Sequence, residues 1–211
     1  MKSELKKRLF TALIISIISY FIIFNGGLLF SIYLMLIFSL SIFEWYKLSK
    51  NKLIFIIGTL FLIISCAITI HLRNDNFLFL IILITIAISS DLGGFIFGNL
   101  FKGPKLTKIS PNKTYAGLFG SYFLSVFIVY LLILLNPNFF DLSQVFKLSK
   151  YHFITIIIFS SINQLGDLII SYFKRLKKVK DTGNLLPGHG GILDRIDGMI
   201  FLIPLAYFLN L

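Results

Sequence analysis

The 211-residue chain has little of what staples a small fold together. Its one cysteine, Cys66, lies inside an apolar block, so it forms no intrachain disulfide and reads as a small packing residue. The histidines, His71, His152 and His189, are scattered and give no zinc-ligand spacing. No GxxxxGK[ST] run is present, which excludes a P-loop. Internal repeats, a low-complexity tail and a domain-separating linker are also missing. Acidic side chains are scarce, nine against twenty lysines and arginines, for a formal net charge of +11.

What is abundant is apolar. Hydrophobic residues make up 57% of the chain and mean hydropathy is +0.90. They come in long blocks rather than in a 3.6- or 2-residue period, the pattern of membrane spans. The expected fold is all-α: a polytopic helix bundle of about seven spans, near 9–24, 28–43, 53–70, 77–90, 118–135, 152–172 and 192–211. Asn25-Gly26-Gly27 is a candidate hairpin tip between the first two. The first apolar block leads straight into a second with no A-x-A-like site between them, so a cleaved signal peptide is not expected. The chain reads as one membrane domain, 1–211, with N-terminal spans over 1–90 and the chemistry over 91–211.

The basic excess is a topology signal. With the N-terminus inside, cytoplasmic segments hold Lys2, Lys6, Lys7 and Arg8, then Lys47, Lys50 and Lys52, then Lys102, Lys105, Lys108 and Lys113, then Lys174, Arg175, Lys177, Lys178 and Lys180. Only Arg73, Lys147 and Lys150 fall on the opposite side. That asymmetry fits the positive-inside rule and anionic lipid headgroups, and no nucleic-acid partner is expected. Two cytoplasmic loops are long, about 91–117 and 173–191, and long loops in a short chain tend to carry function.

Asp91, Asp167, Asp181, Asp194 and Asp197 border or occupy those loops and their flanking spans. Asn163, Asp167, Ser171, Lys174 and Lys178 are spaced to share one face of a helix leaving the membrane. A buried carboxylate needs a cation. Lys174 is about two turns from Asp167, so a metal ion is the better expected partner. Asp194 and Asp197, three apart, are expected on one helix face, and paired carboxylates suit a hard divalent cation. Just before them Pro187-Gly188-His189-Gly190-Gly191 forms a turn whose backbone can approach a phosphate closely. His189 is a candidate phosphate or leaving-group contact, or simply a turn residue. In the other loop Ser110, Lys113 and Thr114 crowd around Pro111 beside glycines, a grouping that suits phosphate oxygens.

The stretch from Ser171 to Gly198, "SYFKRLKKVKDTGNLLPGHGGILDRIDG", resembles the C-terminal signature of the CDP-diacylglycerol synthases, or phosphatidate cytidylyltransferases. The matching positions are Ser171, Lys174-Arg175, Lys180-Asp181, Pro187, His189-Gly190-Gly191 and Asp194-Arg195-Ile196-Asp197. Gly166-Asp167, Asp91, Gly98, Lys105-Leu106, Ser110-Pro111, Lys113-Thr114 and Gly117 match upstream, while the first half is covered by general hydropathy only. Family members usually carry a carboxylate where Ala116 stands, and their chains are usually longer.

The resemblance implies that CTP and phosphatidic acid react to CDP-diacylglycerol and pyrophosphate. It implies Mg²⁺, with an associated monovalent cation such as K⁺, held mainly by Asp167 and Asp194 with Asp197 in support. Lys174, Arg175 and Arg195 are then expected on phosphoryl oxygens, and Ser171 on a phosphate or the metal shell. Lys113, Thr114, Ser110, Lys180, Asp181, His189, Gly190 and Gly191 are the expected substrate contacts. A homodimer in the cell (inner) membrane, with N-terminus and active site cytoplasmic, completes the expectation. A cytidylyltransferase for another lipid phosphate shares the same residues. A cation transporter fits Asp167 but not the His-Gly-Gly and Asp-Arg-x-Asp turn, and no DGxxAR…GxxxDxxxD pattern of a CDP-alcohol phosphotransferase is present.

Overall fold

A computed structural model describes residues 16–135, 152–186 and 190–209. Among them, helices and turns make up the secondary structure, and the sole β pairings are the isolated bridges Lys105–Thr114 and Leu186–Gly190. The helices are α1 (Ser16–Asn25), α2 (Gly27–Leu48), α3 (Lys52–Asp75), α4 (Phe77–Phe101), α5 (Tyr115–Leu135), α6 (His152–Leu176), α7 (Leu193–Ile196) and α8 (Met199–Leu209). From α2 to α6 each has 21 to 25 residues and enough apolar content to cross a membrane. At 1.5 Å per residue, 20 residues match a hydrocarbon core about 30 Å thick. The chain is a multi-pass membrane protein of the all-α class.

Helix starts follow local chemistry. Asn51 Oδ1 accepts from Ile54 N at 2.9 Å, Asn76 Oδ1 from Phe79 N at 3.1 Å, and Thr114 Oγ1 from Gly117 N at 3.1 Å. Each side chain satisfies an amide that the first helical turn leaves without a partner. Gly26 separates α1 from α2 and Gly27 opens α2, with φ of 66° and 63°, the left-handed region that makes the expected turn possible.

The chain packs as two compact units. The described residues of Met1–Asp75 and Phe173–Ile196 form the first. Here α2 and α3 lie together, Trp45 covering Gly58 and donating from Nε1 to Phe55 O at 3.3 Å. Phe173 meets the Trp45 ring edge-on, 4.8 Å between centroids. Arg73 donates to the carbonyls of Ile23 and Phe24, at 2.7 and 2.9 Å, and so closes the end of α1.

The described residues of Asn76–Tyr172 and Asp197–Leu211 form the second unit. Its centre is the α4–α5 pair, where Gly93 faces Gly120 so closely that a Cβ on either would collide with the other's backbone. Small residues at a membrane helix crossing allow this approach. It also corrects the expected span at 77–90: α4 runs on to Phe101, so Asp91, Gly93, Gly94 and Gly98 are helical rather than part of a loop. The glycines there serve packing. The last expected span, 192–211, is interrupted as well. α7 ends at Ile196, Asp197 Oδ1 accepts from Gly198 N at 2.9 Å, and α8 begins at Met199. Of the expected first span, 9–24, the described part is Ser16–Asn25.

Candidate active site

In the second unit a basic loop and α6 come together. Backbone bonds from Leu106 N to Lys113 O (2.8 Å), Lys113 N to Ser110 O (3.1 Å) and Tyr115 N to Pro104 O (3.2 Å) fold residues 104–115 into a tight hairpin. That hairpin aims Lys113 at α6. Lys113 Nζ pairs with Asp167 Oδ2 at 2.7 Å and donates to Gln164 Oε1 at 3.2 Å and Gln164 O at 3.3 Å. Asp167 Oδ1 accepts from Ser171 Oγ at 3.3 Å. The Lys113 and Asp167 side chains keep 19% and 29% exposure, so the pair is accessible from outside the unit.

Behind this pair runs a buried polar network. Gln164 Nε2 donates to Ser121 Oγ and, at 3.3 Å, to Ser90 Oγ, while Ser160 Oγ donates to Ser90 Oγ at 3.0 Å. Asn163 Nδ2 donates to Asp91 Oδ1 at 2.9 Å. The Gln164–serine part of the network is hydrogen-bonded and fixes the α4, α5 and α6 rotamers around Asp167, while Asn163 Oδ1 is buried without a partner among the described residues.

In the first unit the end of α6 and the signature segment build a second cluster around Asp194. Lys174 Nζ lies 2.8 Å from Asp194 Oδ1, with side chains only 10% and 7% exposed. Asp194 Oδ2 accepts from Thr182 N at 2.8 Å and Gly191 N at 2.9 Å, and lies 3.0 Å from Thr182 Oγ1. At Gly190 φ is +84°, and a Cβ would stand 2.8 Å from Asp194 Oδ2, so only glycine suits this position. Glu44, from α2, reaches the same segment. Its Oε1 accepts from Ile192 N at 3.0 Å, and its Oε2 from Leu193 N at 2.9 Å and Thr182 Oγ1 at 2.7 Å.

Several sequence expectations change at this point. The structure brings the Lys113 ammonium beside Asp167 through the hairpin, a partner that the helix spacing did not suggest. Asn163, Asp167, Ser171 and Lys174 do lie on one helix, but Lys178 is past its end, with φ of 56°. Asp194 and Asp197 do not share a helix, because α7 stops between them. Arg175 Nη1 donates to Val179 O at 3.0 Å and helps turn the chain after α6. Lys180, Asp181 and Arg195 are exposed. Ser110 and Thr114 belong to the hairpin, and Thr114 caps α5. Pro187 and His189 lie outside the described residues. Sequence reasoning missed Glu44 and Thr182.

Asp167 and Asp194 differ in their fitness for a divalent cation. Asp194 is met by donors, the Lys174 ammonium and the amides of Thr182 and Gly191. A hard cation would have to displace one of them. Asp167 is the more exposed carboxylate and fits a cation's oxygen ligand. Among the described residues, no three His, Cys, Asp or Glu side chains cluster as a preformed cage, and Mg²⁺ commonly completes its shell with water and substrate phosphate instead.

The model of the cytidylyltransferase family matches residues 53–211. The phosphatidate cytidylyltransferase of Rickettsia bellii is 37% identical over 171 residues, 79% of this chain and 74% of that protein. The phosphatidate cytidylyltransferase of Rickettsia conorii is 35% identical over 187 residues, 87% and 81% of the two chains. A Staphylococcus epidermidis phosphatidate cytidylyltransferase is 43% identical over 139 residues, 65% of this chain and 49% of that protein. With a family match over most of its length, and relatives this similar covering most of theirs, the chain belongs to the cytidylyltransferase family.

Proposed function

We propose that the protein transfers the cytidylyl group of CTP to phosphatidate, giving CDP-diacylglycerol and pyrophosphate. The observation that carries this, beside the family, is the accessible Lys113–Asp167 pair, whose Asp167 lies on the helix that leads into the signature segment. The phosphatidate phosphate is already anionic at neutral pH, so no strong general base is required. One of its oxygens attacks the α-phosphorus of CTP, the bond to the β-phosphate oxygen breaks, and pyrophosphate leaves. The barrier is crowded negative charge, so catalysis is positioning and charge stabilisation.

Lys113 supplies a cation whose geometry Asp167 and Gln164 hold in place. Arg175 and Arg195 add exposed positive charge for phosphoryl oxygens. Lys174 is spent on Asp194 and acts by fixing the signature segment. Ser171 orients Asp167. Ser110, Thr114, Lys180, Asp181, His189, Gly190 and Gly191 remain the proposed substrate contacts. Mg²⁺, with K⁺ as an associated ion, is the proposed cofactor: Asp167 would hold it, with Asp197 and Asp194 as the further carboxylates that the resemblance implies. When bound it would neutralise phosphate charge. The active site and the N-terminus are proposed to be cytoplasmic, as the lysine-rich loops support, and the assembly a homodimer.

The test is pyrophosphate release by the purified protein from CTP with phosphatidate vesicles and Mg²⁺. Release that requires the lipid, and stops with chelator, is the expected result. Release with an isoprenoid phosphate but not with phosphatidate would overturn the substrate assignment.

A further inference from the structure

Glu44 stands in an apolar stretch of α2 and takes no part in the chemistry above. It is 1% exposed. The ion pairs at Asp75, Asp167 and Asp194 do not include it. A buried carboxylate without a cation is costly and persists only where hydrogen bonds repay it. Glu44 receives three: Thr182 Oγ1 at 2.7 Å, Leu193 N at 2.9 Å and Ile192 N at 3.0 Å. All its donors lie in the signature segment. One rigid helix thus pins residues that are ten positions apart in the chain.

The surrounding residues are shaped to this contact. A Cβ at Gly191 would overlap Glu44 Oε2 and Thr182 Oγ1, and one at Gly183 would stand 2.7 Å from Glu44 Oε1. Thr182 links the two carboxylates: its hydroxyl lies 2.7 Å from Glu44 Oε2 and 3.0 Å from Asp194 Oδ2, and its amide donates to Asp194. Glu44 therefore fixes Thr182 and Leu193, and these flank the carboxylate that holds Lys174. It precedes the stretch matched by the family model, which begins at residue 53.

We propose that Glu44 is a positioning residue for the transfer reaction: through Thr182 and the amides of Ile192 and Leu193 it holds the signature segment so that the Asp194–Lys174 pair stays in register. This rests on the cytidylyltransferase reading. A residue that merely stabilised the fold would lower the amount of active protein and leave the folded molecules with normal turnover.

The experiment compares wild type, Glu44→Gln, Thr182→Val, Thr182→Ser and the Glu44→Gln/Thr182→Val double variant in detergent. Native-state trypsin cleavage after Lys180, quantified by mass spectrometry, reports how tightly the segment is held. Cleavage at Lys105 and Lys108 is the internal control. Glu44→Gln is expected to lower kcat about 100-fold per folded molecule, with the KM values for CTP and phosphatidate within about 3-fold of wild type. It is also expected to speed cleavage at Lys180 about 10-fold, with the control sites unchanged. Thr182→Val should reproduce both effects, Thr182→Ser should stay within about 3-fold of wild type, and the double variant should be no worse than Glu44→Gln alone.

Wild-type turnover and protection in Glu44→Gln would overturn the proposal. So would a loss of activity matching the unfolded fraction, a rise in KM alone, or equal damage from Thr182→Ser and Thr182→Val. If Glu44→Gln fails to fold, the Thr182 pair decides the question. A wild type that releases no pyrophosphate overturns the cytidylyltransferase reading, while cleavage at Lys180 still reports whether Glu44 holds the segment.

Discussion

Lys113 Nζ lies 2.7 Å from Asp167 Oδ2, and the same ammonium donates to both oxygens of Gln164, one turn earlier on the same helix. A lysine held by three acceptors on one helix face is a fixed point charge at the edge of the membrane unit. Such a preorganised cation need not reorganise as phosphate charge moves. Lys113→Met is expected to lower kcat about 100- to 1,000-fold, the loss typical of one preorganised charge donor. Lys113→Arg should recover little of it, because the guanidinium is a planar fork and does not fit three converging acceptors. Steady-state pyrophosphate release, with folded protein quantified by gel filtration, checks both variants.

Asp167→Asn separates charge from shape. The amide oxygen can still accept from Lys113, while its NH2 group donates to the Ser171 hydroxyl, so the hairpin is expected to remain docked. What disappears is the negative charge that would attract a divalent cation. The expected outcome is loss of turnover, with more Mg²⁺ needed for any residual activity and thermal stability close to wild type. A Mg²⁺ titration of activity beside a melting curve tests this. Unchanged Mg²⁺ dependence would remove Asp167 from the proposed ligand set.

Much of this architecture was legible in the sequence, for physical reasons. Long apolar blocks mark spans because an unsatisfied backbone cannot face lipid. The signature from Ser171 to Gly198 marked the family, which the family match over residues 53–211 shows. Packing partners were less legible. The glycines at 93, 94 and 98 read as loop punctuation, yet they are helix-contact residues, since close approach and turning both require a missing Cβ. Lys113 could not be matched to Asp167 by spacing, because the hairpin that joins them is a tertiary fact. Glu44 did carry a signal. It is a carboxylate within an apolar run, beside the chain's only tryptophan, and a charge so placed is a functional candidate by default.

The α4–α5 crossing makes its own prediction. A Cβ on Gly120 would overlap Phe97 and stand 2.7 Å from Gly93 O, while one on Gly93 would strike the Gly120 carbonyl. Backbone cannot yield as a side-chain tip can. Gly93→Ala and Gly120→Ala are each expected to destabilise by about 1–3 kcal/mol, the cost typical of overpacking. Larger side chains should abolish folded yield. Gly103, where φ is +96° but nothing lies within 4 Å, is the contrasting site: Gly103→Ala meets only backbone strain. Melting temperatures in one detergent order the three variants, and equal stability of Gly120→Ala and wild type would contradict the contact.

The Lys174–Asp194 pair is buried, at 10% and 7% exposure, and stability should show it. Removing one partner of a buried pair leaves an uncompensated charge, at a cost of about 3–5 kcal/mol. The two single variants should nevertheless differ in kind. Lys174→Met leaves Asp194 with the Thr182 and Gly191 amides, so the signature segment keeps its local fold. Asp194→Asn strands the Lys174 ammonium. It also weakens both amide contacts, because a neutral amide oxygen is a poorer acceptor than a carboxylate. Asp194→Asn is therefore expected to melt lower than Lys174→Met and to speed trypsin cleavage at Lys180, whereas Lys174→Met should leave that rate near wild type. The double variant should be less destabilised than the sum of the two singles, since no lone charge remains. Equal melting of both singles, with additive effects in the double, would mean that the pair contributes nothing beyond two independent side chains.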